Sequence, residues 1–415
     1  VSRPRRPRGS RNPRLNPGRL AAGRALLAVE RGAHAEDMLA RLAPDDDADR
    51  RLAWHLVLGV LRRQGALDHV LAAVGGRSLR KVDPPARVAL RIGLFELASS
   101  RTATHAAVDQ AVELCRRLGG RRATGFVNAV LRRAGQQPLP DDPWLELPDW
   151  LATAWRPTMK AWVQRLSSPP PLCGVWRDPA APVTVLESRP VTAGGVSVPG
   201  AFSLTDSSGA VDALPGFAEG AWWVMDPAAA AVADLCRAGQ GDRVLDACAA
   251  PGGKSLRLAS LGAEVVATDL SPDRLARVDE AAARTGLAVQ TRVHDWLEGP
   301  ADELGRFDVV LVDAPCTGLG TIRRHPEIRW RRQPTDPAAM ALRQRRILAN
   351  AATHVADGGR LVYAVCSPMP EEGEAVVATL TGWTVVQAFA TVPPAGDEDA
   401  FQGFVLQRAT APSSR

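Results

Sequence analysis

The chain has 415 residues, 46% hydrophobic and 23% charged, with a formal net charge of +6 and a pI near 9.4. That length supports two or three domains with a substantial core, the basic balance favours a polyanionic partner, and no apolar run reaches the roughly 18 residues of a membrane span. Six scattered cysteines make no disulfide framework and no Cys-x-x-Cys or His-x-x-x-His spacing suggests zinc, so the expectations are a reducing cytoplasm, no membrane and no metal.

Residues 1–24 carry eight arginines among prolines and glycines, and the first acid is Glu30. This predicts a basic disordered tail that touches phosphates without specificity or simply keeps the chain soluble. From residue 25 to 137 apolar residues recur at the helical period, as at Leu52, Leu56 and Val60 and at Val88, Ile92 and Phe95. Asp83-Pro-Pro85 is a helix start, and Gly119-Gly120 ends an amphipathic helix from Asp109 to Leu118. The expectation is a bundle of six or seven helices. Residues 138–224 shift to Pro, Gly and Trp with short β-like runs, predicting a small α+β connecting domain. Trp144, Trp150, Trp155, Trp162 and Trp176 fall here, and packing this domain is the favoured reading, ahead of stacking on unpaired bases.

Residues 225–410 alternate strand and helix, as a parallel α/β sheet does. The predicted strands are 243–247, 265–268, 289–293, 309–312, 360–365, 385–389 and 404–407. In such a sheet the strand C-termini converge on one ligand crevice. A nicotinamide enzyme would alternate in the same way, so periodicity alone leaves the ligand open.

The first of these strands runs into Asp246-Ala-Cys-Ala-Ala-Pro-Gly-Gly-Lys254, where Gly252 and Gly253 let backbone approach a ligand closely. The turn is neither Gly-x-Gly-x-x-Gly nor a P-loop, so pyrophosphate is not its obvious guest. Asp269 ends the second strand, where a carboxylate can accept both ribose hydroxyls, and Asp295 ends the third, within reach of an adenine amino group. Each acid alone reads as a helix cap. Together with the turn they favour S-adenosylmethionine over a dinucleotide. Only three lysines stand against 48 arginines, which singles out Lys254 as a position where a compact ammonium is required.

Asp313-Ala-Pro-Cys316 and Ala364-Val-Cys-Ser-Pro368 each place a thiol just past an apolar strand. A sulfur nucleophile beside a cofactor turn suits methylation of cytosine at carbon 5. Thiolate addition to carbon 6 makes carbon 5 nucleophilic, and a second thiol can help the elimination that follows. Spacing does not say which cysteine attacks. Asp313 is placed to bond the N3/N4 edge of the base, and Lys254 to favour a neighbouring thiolate. A stacked base is out of reach, so the target is flipped out or already unpaired. Arg323, Arg324, Arg329 and Arg331, in the loop after Cys316, are expected to contact RNA phosphates; Cys115, Cys173 and Cys236 read as inert core residues.

Two resemblances attach to these strings. Residues 25–137 resemble the NusB-like RNA-binding fold, through Asp49-Arg-Arg-Leu-Ala53, Arg87-Val-Ala-Leu-Arg-Ile-Gly93, His105-Ala-Ala-Val-Asp-Gln-Ala-Val-Glu113 and Gly125-Phe-Val-Asn-Ala-Val-Leu-Arg132. The glycine turn, Asp313-Ala-Pro-Cys-Thr-Gly-Leu-Gly320 with Arg323-Arg-His-Pro-Glu-Ile-Arg-Trp330, and Val365-Cys-Ser367 with Glu371-Glu372 resemble the RNA cytosine-5 methyltransferase family, in its bacterial 16S ribosomal RNA branch of the Fmu/Sun type. Val224-Met-Asp-Pro227 stands where that family more often has Gln-Asp-x-Ser.

The resemblance implies an all-α NusB-like bundle, the connecting domain, and a Rossmann-like S-adenosylmethionine-dependent methyltransferase domain with a seven-stranded sheet. It implies that Cys248, Ala249, Ala250, Pro251, Gly252, Gly253, Lys254, Asp269, Asp295 and Asp313 contact S-adenosylmethionine. It assigns Cys366 as nucleophile and Cys316 to product release, with Asp313 and Lys254 assisting. The partner it implies is 16S ribosomal RNA, free or in an early small-subunit assembly intermediate, met by a monomer. A transfer-RNA cytosine-5 methyltransferase and a non-catalytic NusB-like RNA-binding adaptor remain the alternatives.

Overall fold

A computed structural model describes residues 15–99, 103–205 and 210–409. The expected tail lies outside them as far as residue 14, and its remainder is helical: Pro17 occupies the first turn of α1 (Pro17–Val29), and the Asn16 side chain accepts from Arg19 N. The chain divides into two units by its internal contacts. One takes in residues up to 153 together with 166–168 and 325–331, and the other holds the remainder.

In the first unit α1 is followed by α2 (Ala35–Leu42), α3 (Asp47–Arg62), α4 (Gln64–Gly75), α5 (Pro84–Ser99), α6 (Thr104–Arg117) and α7 (Thr124–Ala134). Their apolar stripes meet in one core, with Leu56, Val60, Leu90, Ile92, Leu114 and Leu131 all buried. Val88, Ile92 and Phe95 lie on the inward face of α5, as their spacing predicts. Charges at the edge of this core are paired: Arg91 bridges Glu30 at 2.8 Å and Asp68 at 2.7 Å, and Arg19 meets Glu96 at 2.6 Å.

The second unit carries two sheets. Strands β1 (Cys173–Trp176), β2 (Ser188–Ala193), β3 (Val196–Leu204) and β4 (Trp222–Val224) form an antiparallel sheet of order β2-β3-β1-β4. Trp176 stacks on Phe202 at 4.0 Å between centroids, and Trp155 leans on Trp162 at 5.1 Å. These three tryptophans are buried packing residues, the favoured sequence reading.

The larger sheet contains all seven predicted strands, most of them longer than predicted: β5 (Arg243–Asp246), β6 (Glu264–Asp269), β7 (Val289–Val293), β8 (Phe307–Asp313), β9 (Val355–Val365), β10 (Trp383–Ala390) and β11 (Gln402–Arg408). Their order is β10-β11-β9-β8-β5-β6-β7. The sheet is mixed where a parallel one was expected, because β11 runs antiparallel to both β9 and β10. Helices α8 (Pro227–Asp234), α9 (Gly253–Ser260), α10 (Pro272–Thr285) and α11 (Asp336–Ala352) flank it. Both faces of β8 are buried, Val309 and Leu311 packing with Val232 and Leu256, Val310 and Val312 with Ile347 and Leu348. A central strand covered on both sides reads as a continuous apolar run for this reason.

From β5 the chain proceeds to β6 and β7 on one side, then returns to β8 and β9 on the other. The reversal opens a crevice beyond the C-terminal ends of β5 and β8. Among the described residues no helix is long and apolar enough to cross a membrane, and no His/Cys/Asp/Glu group could hold a metal.

Candidate active site

The turn leaving β5 is folded by backbone bonds, Ala249 N donating to Thr268 O and Gly252 N to Ala249 O. Gly252 has φ +103°, and a β-carbon there would sit 3.1 Å from Val278 Cγ1, so the left-handed backbone and the close approach to α10 both require glycine. Asp246, at the end of β5, is fully buried. Its Oδ2 accepts from Ser255 Oγ at 2.7 Å, its Oδ1 has no partner, and burial pushes its pKa up to about 7.

Asp269 ends β6 and Asp295 lies two residues beyond β7. Each spends one oxygen on its own turn: Asp269 Oδ1 accepts from Ser271 N at 3.0 Å and Asp295 Oδ1 from Leu297 N at 2.8 Å. Asp269 Oδ2 lies 3.4 Å from Arg274 Nη1. Beside them Leu270 and Val293 are 57% and 61% exposed, apolar surface at the mouth of the crevice. A glycine cradle, an orphaned buried carboxyl oxygen and two acids flanked by open apolar side chains fit a nucleoside-bearing cofactor.

Cys316 follows β8 through Ala314-Pro315, and Cys366 follows β9 directly. These strands are neighbours in parallel register, Asp313 opposite Ala364, so both thiols emerge side by side with their sulfurs 3.2 Å apart. Lys254, from the first turn of α9, bonds Asp313 Oδ2 at 2.6 Å and lies 5.2 Å from the centroid of the Phe401 ring. Burial works against its ammonium, but Asp313 and the neighbouring Cys366 outweigh it and push the pKa up. The Cys316 thiol is pushed well up by its hydrogen bond to Cys366, by burial and by the charge of Glu372. Cys248 is also held protonated, by burial and the surrounding aspartates. Burial raises Cys115 and Cys173 to about 11, consistent with inert core thiols.

Sequence reading missed several residues here. Glu372 is fully buried and accepts four hydrogen bonds, among them Thr317 Oγ1 and Ser367 Oγ at 2.5 Å each. Gly320 N donates to Cys366 O at 3.0 Å while Gly320 O accepts from Ala400 N at 3.1 Å, sewing the two cysteine loops to the segment that carries Phe401. Arg332 donates to Thr317 O at 2.7 Å. The glycine and the paired acids were visible as motif letters; their partners lie too far along the chain to be inferred from spacing.

The four arginines expected to contact phosphate are occupied inside the protein. Arg329 is fully buried in the first unit, bonding Glu146 O at 3.1 Å, and burial presses its pKa down to about 10. Arg331 donates to Ala33 O in the same unit. Arg324 bridges Asp226 at 2.8 Å and Asp399 at 3.0 Å, and the buried Arg323 bonds Pro169 O. Asp226, in the departed Val224-Met-Asp-Pro227 string, caps α8 by accepting from Ala228 N. The acidic residues that meet Arg324 and Arg329, namely Asp226, Asp399 and Glu146, are remote in sequence, so the run read alone gives no sign that it is paired inside the fold.

Comparison with known proteins places this geometry. Residues 235–394 match the family model described as 16S rRNA methyltransferase RsmB/F, and residues 16–136 match the NusB family. The chain is 39% identical over 368 residues to ribosomal RNA small subunit methyltransferase B of Thermus thermophilus, covering 86% of each chain. It is 34% identical to the protein of that name from Pseudomonas syringae, over 92% of this chain and 91% of the other. Two solved structures share the fold: PH0851, with TM-score 0.77 and 21% identity over 98% of this chain and 100% of that one, and NSun6 from Pyrococcus horikoshii with SFG, with TM-score 0.55 and 16% identity over 64% and 99%. The thiol pair, the glycine turn and the NusB-family front therefore sit in a chain that belongs to the 16S rRNA methyltransferase RsmB/F family.

Proposed function

We propose that this protein methylates carbon 5 of a cytosine in 16S ribosomal RNA, through a covalent adduct between Cys366 and carbon 6 of the ring. The observation that carries this reading is the pair of sulfurs 3.2 Å apart beside the Lys254–Asp313 ion pair, at the strand ends that face the glycine turn. Relatives named ribosomal RNA small subunit methyltransferase B support RNA as the substrate. Residues Cys248 to Lys254, with Asp269, Asp295 and Asp313, would hold S-adenosylmethionine, which supplies an electrophilic methyl group when bound.

Carbon 5 of cytosine is too weak a nucleophile to accept that methyl unaided. Addition of the Cys366 thiolate to carbon 6 forms a carbon–sulfur bond and moves the ring electrons toward carbon 5. The Lys254 ammonium places a positive charge near Cys366, and Asp313 is placed to accept from the N4 amino group. After transfer a water molecule takes the proton from carbon 5 and the carbon–sulfur bond breaks, its electron pair leaving on the Cys366 sulfur as thiolate. Cys316 assists that step by donating a hydrogen bond to the departing sulfur, because its thiol touches that sulfur and its raised pKa keeps it protonated.

The test is transfer of labelled methyl from S-adenosylmethionine to unmodified 16S RNA, with transfer RNA as the competing substrate. Cys366→Ala abolishes transfer, and Cys316→Ala accumulates an RNA–protein adduct that survives denaturation. Normal turnover by Cys366→Ala refutes the assignment.

A further inference from the structure

The two thiols come from loops fifty residues apart, so something besides the sheet has to fix where the loops turn. Glu372 lies beneath both. Its Oε1 accepts from Thr317 N at 2.7 Å and Gln344 Nε2 at 3.1 Å, and its Oε2 accepts from Thr317 Oγ1 and Ser367 Oγ, each at 2.5 Å. Thr317 follows Cys316, and Ser367 follows Cys366. One carboxylate therefore holds the residue next to each cysteine. The grip is closed from outside as well: Gln344 Nε2 also donates to Pro315 O, Tyr363 OH to Glu372 O, and Gln402 Nε2 to Ser367 O.

A fully buried carboxylate is costly to desolvate, but its two oxygens can take four donors from three separate segments, the two cysteine loops and the helix of Gln344. An apolar side chain would fill this space at less cost but would leave Thr317 N unpaired and the Thr317 and Ser367 hydroxyls, 3.2 Å apart, with only each other to bridge the loops.

We propose that Glu372 is the positioning residue of the thiol pair: by gripping the residue after each cysteine, its carboxylate sets the distance between the two sulfurs. Its effect on catalysis rests on the methyl-transfer reading above; its effect on thiol spacing does not. The negative charge beneath Cys316 also contributes to that thiol's raised pKa.

The test uses the full chain and two readouts. Phenylarsine oxide exchanges its oxo group for two arsenic–sulfur bonds wherever two thiols lie side by side, releasing water with no change of oxidation state. It reads thiol spacing independently of RNA. Cys316→Ser supplies the background from the other thiols. Wild-type protein should capture the arsenical through Cys316 and Cys366. Glu372→Ala should capture it at least ~10-fold more slowly and lose about 100-fold in kcat, with S-adenosylmethionine affinity unchanged, the scale expected when reacting groups shift by about 1 Å. Glu372→Gln keeps the shape and lets the hydroxyls turn to accept, so it should restore kcat to within about tenfold of wild type.

Wild-type capture by Glu372→Ala, or a Glu372→Gln as defective as alanine, overturns the proposal. If Glu372→Ala does not fold, as judged by loss of S-adenosylmethionine binding, Ser367→Ala decides: it opens one arm only and should slow capture several-fold, and an unchanged rate overturns the clamp. A wild-type chain that captures the arsenical yet methylates no RNA sinks the proposed reaction and leaves the clamp standing.

Discussion

Replacing Asp246 by asparagine removes a buried carboxyl whose folded pKa is about 7 against 3.8 for the free side chain, raised first by burial. In the native state this group keeps its proton at pH values where the unfolded chain has already released it. The native state then binds more protons, so stability falls as pH rises. The contribution is complete below the unfolded pKa and is lost as pH climbs through the folded one. A shift of roughly three units at about 1.4 kcal/mol per unit puts the loss between pH 4 and 8 on the order of 4 kcal/mol. Asparagine does not titrate but can still accept from Ser255. The difference in stability between Asp246→Asn and wild type should therefore grow in the variant's favour by a few kcal/mol over that range. Urea unfolding followed by tryptophan fluorescence at pH 4.5 to 8 measures it, since seven of the eleven tryptophans lie in the unit that holds Asp246. A difference that is flat with pH, or one that moves toward wild type as pH rises, refutes the reasoning.

Two further substitutions test the packing around the thiols and the reassigned arginines. In Gly320→Ala the new β-carbon would fall 2.0 Å from Ala400 O and 2.8 Å from Cys366 O, so backbone has to part; the expected loss is about 1–3 kcal/mol in thermal unfolding together with a drop in methyl transfer, and a wild-type melt would contradict it. Arg329→Ala leaves the buried Glu146 without its largest opposing charge and should destabilise the first unit by about 3–5 kcal/mol. The salt dependence of RNA binding should be unchanged in that variant; unchanged stability with weaker, less salt-sensitive binding would restore Arg329 as a phosphate contact.

The seven strands of the large sheet were legible because each is a short apolar or β-branched run between turn signals, and in the central β8 burial on both faces writes that run directly into the sequence. The bundle was legible through its 3.6-residue period, and two starts were misjudged: arginines at 19 and 24 hid a helix that Asn16 and Pro17 begin, and α6 starts at Thr104, five residues before the expected Asp109. The antiparallel entry of β11 was not legible, since strand direction leaves no mark on residue alternation. The site divided along similar lines. Motif letters pointed to the two cysteines, Lys254 and the aspartates, because those strings are locally unusual. The expectation for the arginine loop came from its charge and its place just after Cys316, while the acidic residues that meet its arginines lie up to 183 positions away. Glu372 carried no signal of its own beyond being one of two adjacent acids; its four donors come from three separate segments.

The pairing of Asp313 with Ala364 in adjacent strands makes the sheet a ruler for the chemistry at its edge. Deleting one residue inside β8 or β9 would turn every following side chain to the opposite face and throw one sulfur out of the crevice. Extra residues in the exposed 333–335 loop would not be felt there, because the chain passes that point between two fixed marks. Loop length at this point of the crossover can thus accept an engineered graft, whereas strand length is pinned by the need to keep the two sulfurs side by side.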